Sequence, residues 1–143
     1  MKLLIFCLLL ASGVTMNQAR AQAYRVIVNE ENETTSLTKE ETSKIFMKKT
    51  VSWKSGSKIT VVDQTADTPV RKQFSLDIHG KAVAAVKAYW QQQIFSGKGV
   101  PPAEKSGDGA VLDFVSANAG AVGYVFGGVD LSGYKVKSIK ITE

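Results

Sequence analysis

The sequence predicts an α/β domain of three layers, a mixed sheet flanked by helices. Three observations carry this expectation. Val26-Ile27-Val28, Ile59 to Val62 and Ala121 to Phe126 are short apolar runs of buried-strand length. Between them lie amphipathic stretches bounded by helix start and stop residues. No internal repeat and no linker interrupts the alternation, so a single domain is expected.

The chain opens on a secretory pattern. Lys2 gives a positive start, Leu3 to Ala11 form an apolar run, and Ala21-Gln22-Ala23 is a small-x-small cleavage signal. The run is too short to span a bilayer as a helix. Cleavage after Ala23 is therefore expected, giving an exported, periplasmic protein that starts at Tyr24 and has no later membrane span. It would keep 143 − 23 = 120 residues, enough for one real core. Cys7, the only cysteine, leaves with the signal, which excludes disulfides and thiolate chemistry. Losing Lys2 and Arg20 turns 18 basic residues into 16 against 13 acidic ones, a net charge of +3. These charges are scattered rather than massed, which argues against a nucleic-acid partner and fits a small anionic ligand or a soluble partner.

Thr38-Lys39-Glu40-Glu41 is a capping box, and the helix it opens should run to about Met47. Lys44, Lys48 and Lys49 suit the negative end of its dipole. Thr50 to Lys58 is a loop carrying Trp53, expected as a lid over the core edge. After the strand ending at Val62 comes a polar loop and a second helix. Thr68 suits its N-cap and Pro69 its first position, where a missing N–H costs nothing. Val70, Phe74 and Ile78 recur every four residues as its core stripe, and His79-Gly80 ends it.

Lys81 to Phe95 shows the strongest helical period, with Val83, Val86, Trp90 and Ile94 on one face. Ser96 to Gly109 reads as a long loop. Its Gly97-Lys98-Gly99 lacks the first glycine and the hydroxyl residue of a phosphate loop. Asp108 is placed to cap a helix through about Asn118, burying Val111, Leu112, Phe114 and Val115. Gly123 inside the next strand implies close approach of a neighbouring group. Tyr134 to Thr142 is a last strand whose alternation slips, which predicts a bulge or bend near Ser138.

Catalytic signals are missing. With one histidine, at a helix end, and no cysteine after export, there is no triad, no Cys/His pair and no metal-ligand spacing. No catalytic residue, metal or cofactor is expected, and binding is the better class. The helix start at Thr68 offers backbone donors and a partial positive charge, the physical basis of an oxyanion site.

Several segments in order carry a resemblance. They are Leu37-Thr38-Lys39-Glu40-Glu41 with Ile45-Phe46-Met47-Lys48-Lys49, then Trp53-Lys54 and Ile59-Thr60-Val61-Val62-Asp63. The loop and helix around Thr68 follow, then Gly97-Lys98-Gly99, Gly107-Asp108-Gly109-Ala110-Val111 and Gly120-Ala121-Val122-Gly123-Tyr124-Val125. Together they resemble the solute-binding proteins of phosphate ABC importers, over nearly all of residues 24–143 but only one lobe of that family's two. The resemblance implies a single lobe of a type II periplasmic-binding-protein fold. In that family phosphate lies between the lobes, held by hydroxyls, backbone N–H groups, an aspartate and an arginine.

Carried across, Thr68 stands at the position of a serine ligand and Gln64 at that of the arginine. Pro69 replaces a glycine and Val70 a hydroxyl residue, while Arg71 is placed to restore the lost charge from one turn along. The implied anion-binding set is Gln64, Thr65, Asp67, Thr68 and Arg71. Two functions follow as expectations. One is an exported, non-catalytic protein that binds phosphate or a similar oxyanion, its cleft completed by an envelope partner or a second copy. The other is a ligand-free interaction module that docks through Trp53 and Pro101-Pro102.

Overall fold

The computed structural model describes residues 23–143. Apart from Ala23, the expected export signal lies outside them. In chain order the elements are β1 (Tyr24–Asn29), β2 (Ser36–Thr38), α1 (Lys39–Phe46), β3 (Thr60–Gln64), α2 (Pro69–Phe74) and α3 (Val83–Phe95). They continue with β4 (Ala103–Lys105), α4 (Asp108–Ala117), β5 (Ala121–Phe126), β6 (Val136–Ser138) and β7 (Lys140–Thr142). No helix among the described residues is long and apolar enough to cross a membrane.

The main sheet has five strands in the order β4-β3-β5-β1-β6. Strands β4, β3 and β5 run parallel, whereas β1 is antiparallel to both β5 and β6. The mixed sheet predicted from sequence is present. Strands β2 and β7 form a separate parallel pair in which Leu37 faces Ile141.

The period-two rule for strands sorts the core into two halves. Val26, Val28, Val61, Val122 and Tyr124 pack on one side with Phe46 of α1, Phe74 of α2 and Ile78. Ile27, Val62, Ala121 and Val125 pack on the other with Val111, Leu112 and Val115 of α4. Three layers result. Phe74 stacks on Tyr124 at 3.8 Å between ring centroids, and Phe46 tilts against Phe74 at 4.8 Å. Such pairs add roughly 0.5–1.5 kcal/mol each beyond area burial. Gly123 is the close approach expected of it: a Cβ there would lie 2.7 Å from Val62 and 2.9 Å from Val111.

Helix starts follow their local chemistry. In the capping box the Glu41 amide donates to Thr38 Oγ1 at 3.0 Å, and the Thr38 amide donates to Glu41 Oε2 at 2.9 Å. Thr68 is the N-cap of α2 and Pro69 its first residue. Helix α2 then runs into a five-residue π-turn, Ser75–His79, closed by Gly80 in the left-handed region at φ 63°. The Gly80 and Lys81 amides both donate to the Ser75 carbonyl, and Ser75 Oγ donates to Lys81 O at 2.6 Å. His79, in the last turn, contacts Ser43 Oγ through Nδ1 at 2.8 Å.

The structure corrects four sequence expectations. Strand β4 lies inside the stretch expected to be loop, because pairing with β3 is a tertiary effect that three residues cannot signal. Helix α3 starts at Val83 rather than Lys81, since Gly80 turns the chain and Ala82 is extended. Its predicted stripe is incomplete. Val86 and Trp90 are buried, but Ile94 is 53% exposed and Phe95 beside it 90%. Finally, Gly107 rather than Asp108 is the N-cap of α4. The expected bend in the last strand is present: β6 and β7 part at Ile139, which is buried and donates its amide to Val26 O at 3.0 Å. Trp53 does cover the core edge, and its indole N–H donates to Gly120 O at 3.0 Å.

Candidate functional site

Three parallel strands end together, β3 at Gln64, β4 at Lys105 and β5 at Phe126. Open α/β sheets hold ligands outside such carboxyl ends. Here the chain leaves β3 through a tight turn into α2. The Thr65 amide donates to Lys105 O at 3.1 Å, which ties the turn to β4. Both the amide and the hydroxyl of Thr68 donate to Thr65 O, at 3.2 and 3.0 Å. Thr68 Oγ1 also accepts the Arg71 amide at 3.3 Å, as an N-cap should.

The Thr68 hydroxyl is thus spent on the turn. What remains is the Thr65 hydroxyl and the amides of Ala66, Asp67 and Val70, none of which has a partner among the described residues. Asp67 is exposed at the tip.

Gln64 is fully buried, and its side-chain amide donates to Asp108 Oδ1 at 2.8 Å and to Tyr124 O at 3.0 Å. Asp108 Oδ1 also accepts the Phe126 amide at 3.1 Å. The first residue of α4 therefore sends its carboxylate back to join the ends of β3 and β5, near the positive end of its own helix. A negative oxygen already sits among the strand ends.

Arg71 is 4% exposed and engaged elsewhere. Its Nη1 donates to Gln64 O and lies 3.1 Å from Asp63 Oδ1 and 3.4 Å from Glu104 Oε1. Asp63 Oδ1 additionally accepts the Tyr124 hydroxyl and the Gln64 amide. Burial pushes the Asp63 carboxyl up, and the Arg71 charge and the Tyr124 hydroxyl only partly offset it. Burial and the Asp63 charge push the Tyr124 hydroxyl well up in turn. Such a pair fixes conformation, and removing one partner costs about 3–5 kcal/mol.

Of the residues named from sequence, Gln64, Thr65 and Thr68 meet in one turn and Asp67 caps its tip, while the Arg71 guanidinium joins Asp63 and Glu104. Asp63, Glu104, Asp108 and Tyr124 were not foreseen as members. Tyr124 carried a signal, since a hydroxyl inside a continuous apolar run must find a partner. Asp108 carried none, because a helix-start aspartate reads as a cap.

A cavity of about 240 Å³ adjoins this cluster, lined by Asp63, Arg71 and Glu104 together with Trp90, Ile94 and Pro102. A larger one, about 560 Å³, borders residues 32–37 and Trp53 and touches none of the anion-binding set implied by sequence. Among the described residues no group of three or more His, Cys, Asp or Glu could hold a metal ion.

In sequence the chain matches no family model and no curated protein. In structure it is similar to a putative phosphate ABC transporter substrate-binding protein from Clostridium perfringens with bound phosphate. That match has a TM-score of 0.64 at 22% identity and covers 83% of this chain and 44% of the other. An ABC-type phosphate transport receptor from Vibrio cholerae matches at 0.58 and 22%, covering 83% and 46%. A possible phosphate-binding protein from Planctomyces limnophilus matches at 0.60 and 20%, covering 85% and 42%. The chain shares the periplasmic-binding-protein fold and spans less than half the length of these proteins.

Proposed function

We propose that this chain is a non-catalytic, exported binding protein for phosphate or a similar oxyanion, linked to phosphate uptake. The reading rests on one observation. At the carboxyl ends of three parallel strands, the Thr65 hydroxyl and the amides of Ala66, Asp67 and Val70 have no partner among the described residues and sit at a helix start. In this reading Thr65 and those amides touch the ligand, while Gln64, Thr68 and Arg71 hold the turn in shape and Asp67 borders it. With half the length of its structural neighbours, the chain supplies half a cleft, and an envelope protein or a second copy supplies the rest. The proposal includes export by the first 23 residues with cleavage after Ala23.

Calorimetry of the chain from Tyr24 onward, with phosphate and with sulfate, tests it. Binding heat is expected at millimolar ligand, and its absence for both anions sinks the reading. A second reading is favoured by Asp108. Its carboxylate lies where strand ends and helix start converge, as a built-in anion would, and this fits a fold kept for protein contacts after losing its ligand. Capture of a stable envelope partner, unaffected by phosphate, would support that alternative.

A further inference from the structure

We infer that the cavity beside α3 is a binding site for a free α-amino acid with an apolar side chain. It lies apart from the oxyanion turn, since of the anion-binding set implied by sequence only Arg71 lines it. Its walls hold unused bonding capacity. Arg71 makes its contacts through Nη1 alone. Its Nε and Nη2 have no partner among the described residues, yet they are not sealed from solvent, a condition that Arg25 Nε alone meets among those residues. Asp63 is in the same position: Oδ1 takes every donor, and Oδ2 is unpaired without being sealed off. Two side chains more than nine-tenths buried therefore keep bonding edges open to accessible space, and the cavity they both line is that space.

Charge then selects the ligand. Arg71 and Lys87 are balanced by Asp63 and Glu104, so the lining is neutral overall but carries both signs. A lone anion meets the two carboxylates, and a lone cation meets the two bases. A zwitterion satisfies both, its carboxylate on the Nε–Nη2 edge of Arg71, the geometry in which guanidinium binds carboxylate in a fork. Its ammonium faces Asp63 Oδ2 and Glu104, whose side chain is 42% exposed. Apart from Gln91 the remaining wall, chiefly Trp90, Ile94 and Pro102, is apolar and suits an aliphatic or aromatic side chain. At about 240 Å³ the space is below the usual range for drug-sized ligands and is in scale with a single amino acid.

Calorimetry of the chain from Tyr24 onward with leucine and phenylalanine tests this, beside N-acetyl-leucine, which lacks the ammonium, and leucinamide, which lacks the carboxylate. Leucine or phenylalanine should bind, and each blocked analogue should bind at least roughly tenfold more weakly, the loss of one charge-assisted contact. Glu104→Gln should weaken the amino acid about tenfold without changing Tm, because Glu104 is half open to water. Ile94→Asn, on the apolar wall and outside the turn, should weaken the amino acid and leave any phosphate heat unchanged, so the two sites fail or stand separately. Three results overturn the inference: no heat with either amino acid at millimolar concentration, equal binding of N-acetyl-leucine, or indifference to Glu104→Gln.

Discussion

Asp108 offers the sharpest test of the oxyanion turn. Asp108→Ala removes one acceptor that serves two donors, Gln64 Nε2 at 2.8 Å and the Phe126 amide at 3.1 Å. Gln64 keeps Tyr124 O at 3.0 Å, and the Phe126 amide turns to water, so the stability loss should be about 1–2 kcal/mol. The electrostatic gain runs the other way. Two unit charges about 5 Å apart repel by roughly 3 kcal/mol at an effective dielectric of about 20, and by less where water enters. Removing the carboxylate should therefore tighten phosphate by about 1–3 kcal/mol, on the order of 5- to 150-fold. Asp108→Asn separates the effects, since it keeps an acceptor oxygen and deletes only the charge. It should hold Tm near that of the parent and still gain affinity. Calorimetry gives the affinities, and thermal unfolding at rising phosphate gives the linked stabilisation, about 2.7 kcal/mol at a hundred times Kd. If neither variant binds phosphate more tightly than the parent, the carboxylate does not occupy the anion's place.

Three other outcomes follow from the packing. Gly123→Ala should cost about 1–3 kcal/mol by overpacking against Val62 and Val111, and Val62→Ala in the same chain should recover part of it in urea unfolding. Arg71→Met should cost about 3–5 kcal/mol by stranding Asp63, with a smaller loss in the double variant Asp63→Leu/Arg71→Met. The stranded carboxyl titrates higher folded than unfolded, so the Arg71→Met deficit should grow as pH rises from 4 to 8. Burial, with the charges of Arg71 and Lys81, holds His79 down at about 4. Below pH 6.5 the unfolded chain binds a proton that the folded chain refuses, so stability falls towards pH 4 and then levels. This contributes about 2–3 kcal/mol, and His79→Gln should flatten that part of the urea-midpoint profile.

The fold was legible because its signals are local. The capping box at Thr38, the Thr68-Pro69 start and the apolar runs each needed only their own neighbours, and each formed as expected. Strand β4 was not legible, since three residues with Ala103 and Glu104 exposed become a strand only by lying beside β3. Nor was the outward turn of Ile94, because period says which residues share a face but not where packing stops. At the candidate site the turn was readable and its wiring was not. Whether Arg71 points to solvent or to Asp63, and whether Asp108 caps its helix or reaches back to Gln64, depends on side chains 71 − 63 = 8 and 108 − 64 = 44 positions apart in sequence. No spacing rule covers such distances.

The π-turn after α2 sets a phase. Each residue of an α-helix advances the chain by about 100°, so a turn that absorbs one extra residue rotates everything downstream by that amount relative to an unbroken helix. Leu76, within the turn, is 55% exposed and contributes little to the core. Deleting it would leave Phe74 and Tyr124 in their stack while re-aiming Gly80 and the whole of α3. The walls that Trp90 and Ile94 give the small cavity would turn with it. The gap beneath α3 is thus governed by chain count at a surface position, and a one-residue deletion there would reshape it without touching any residue that lines it.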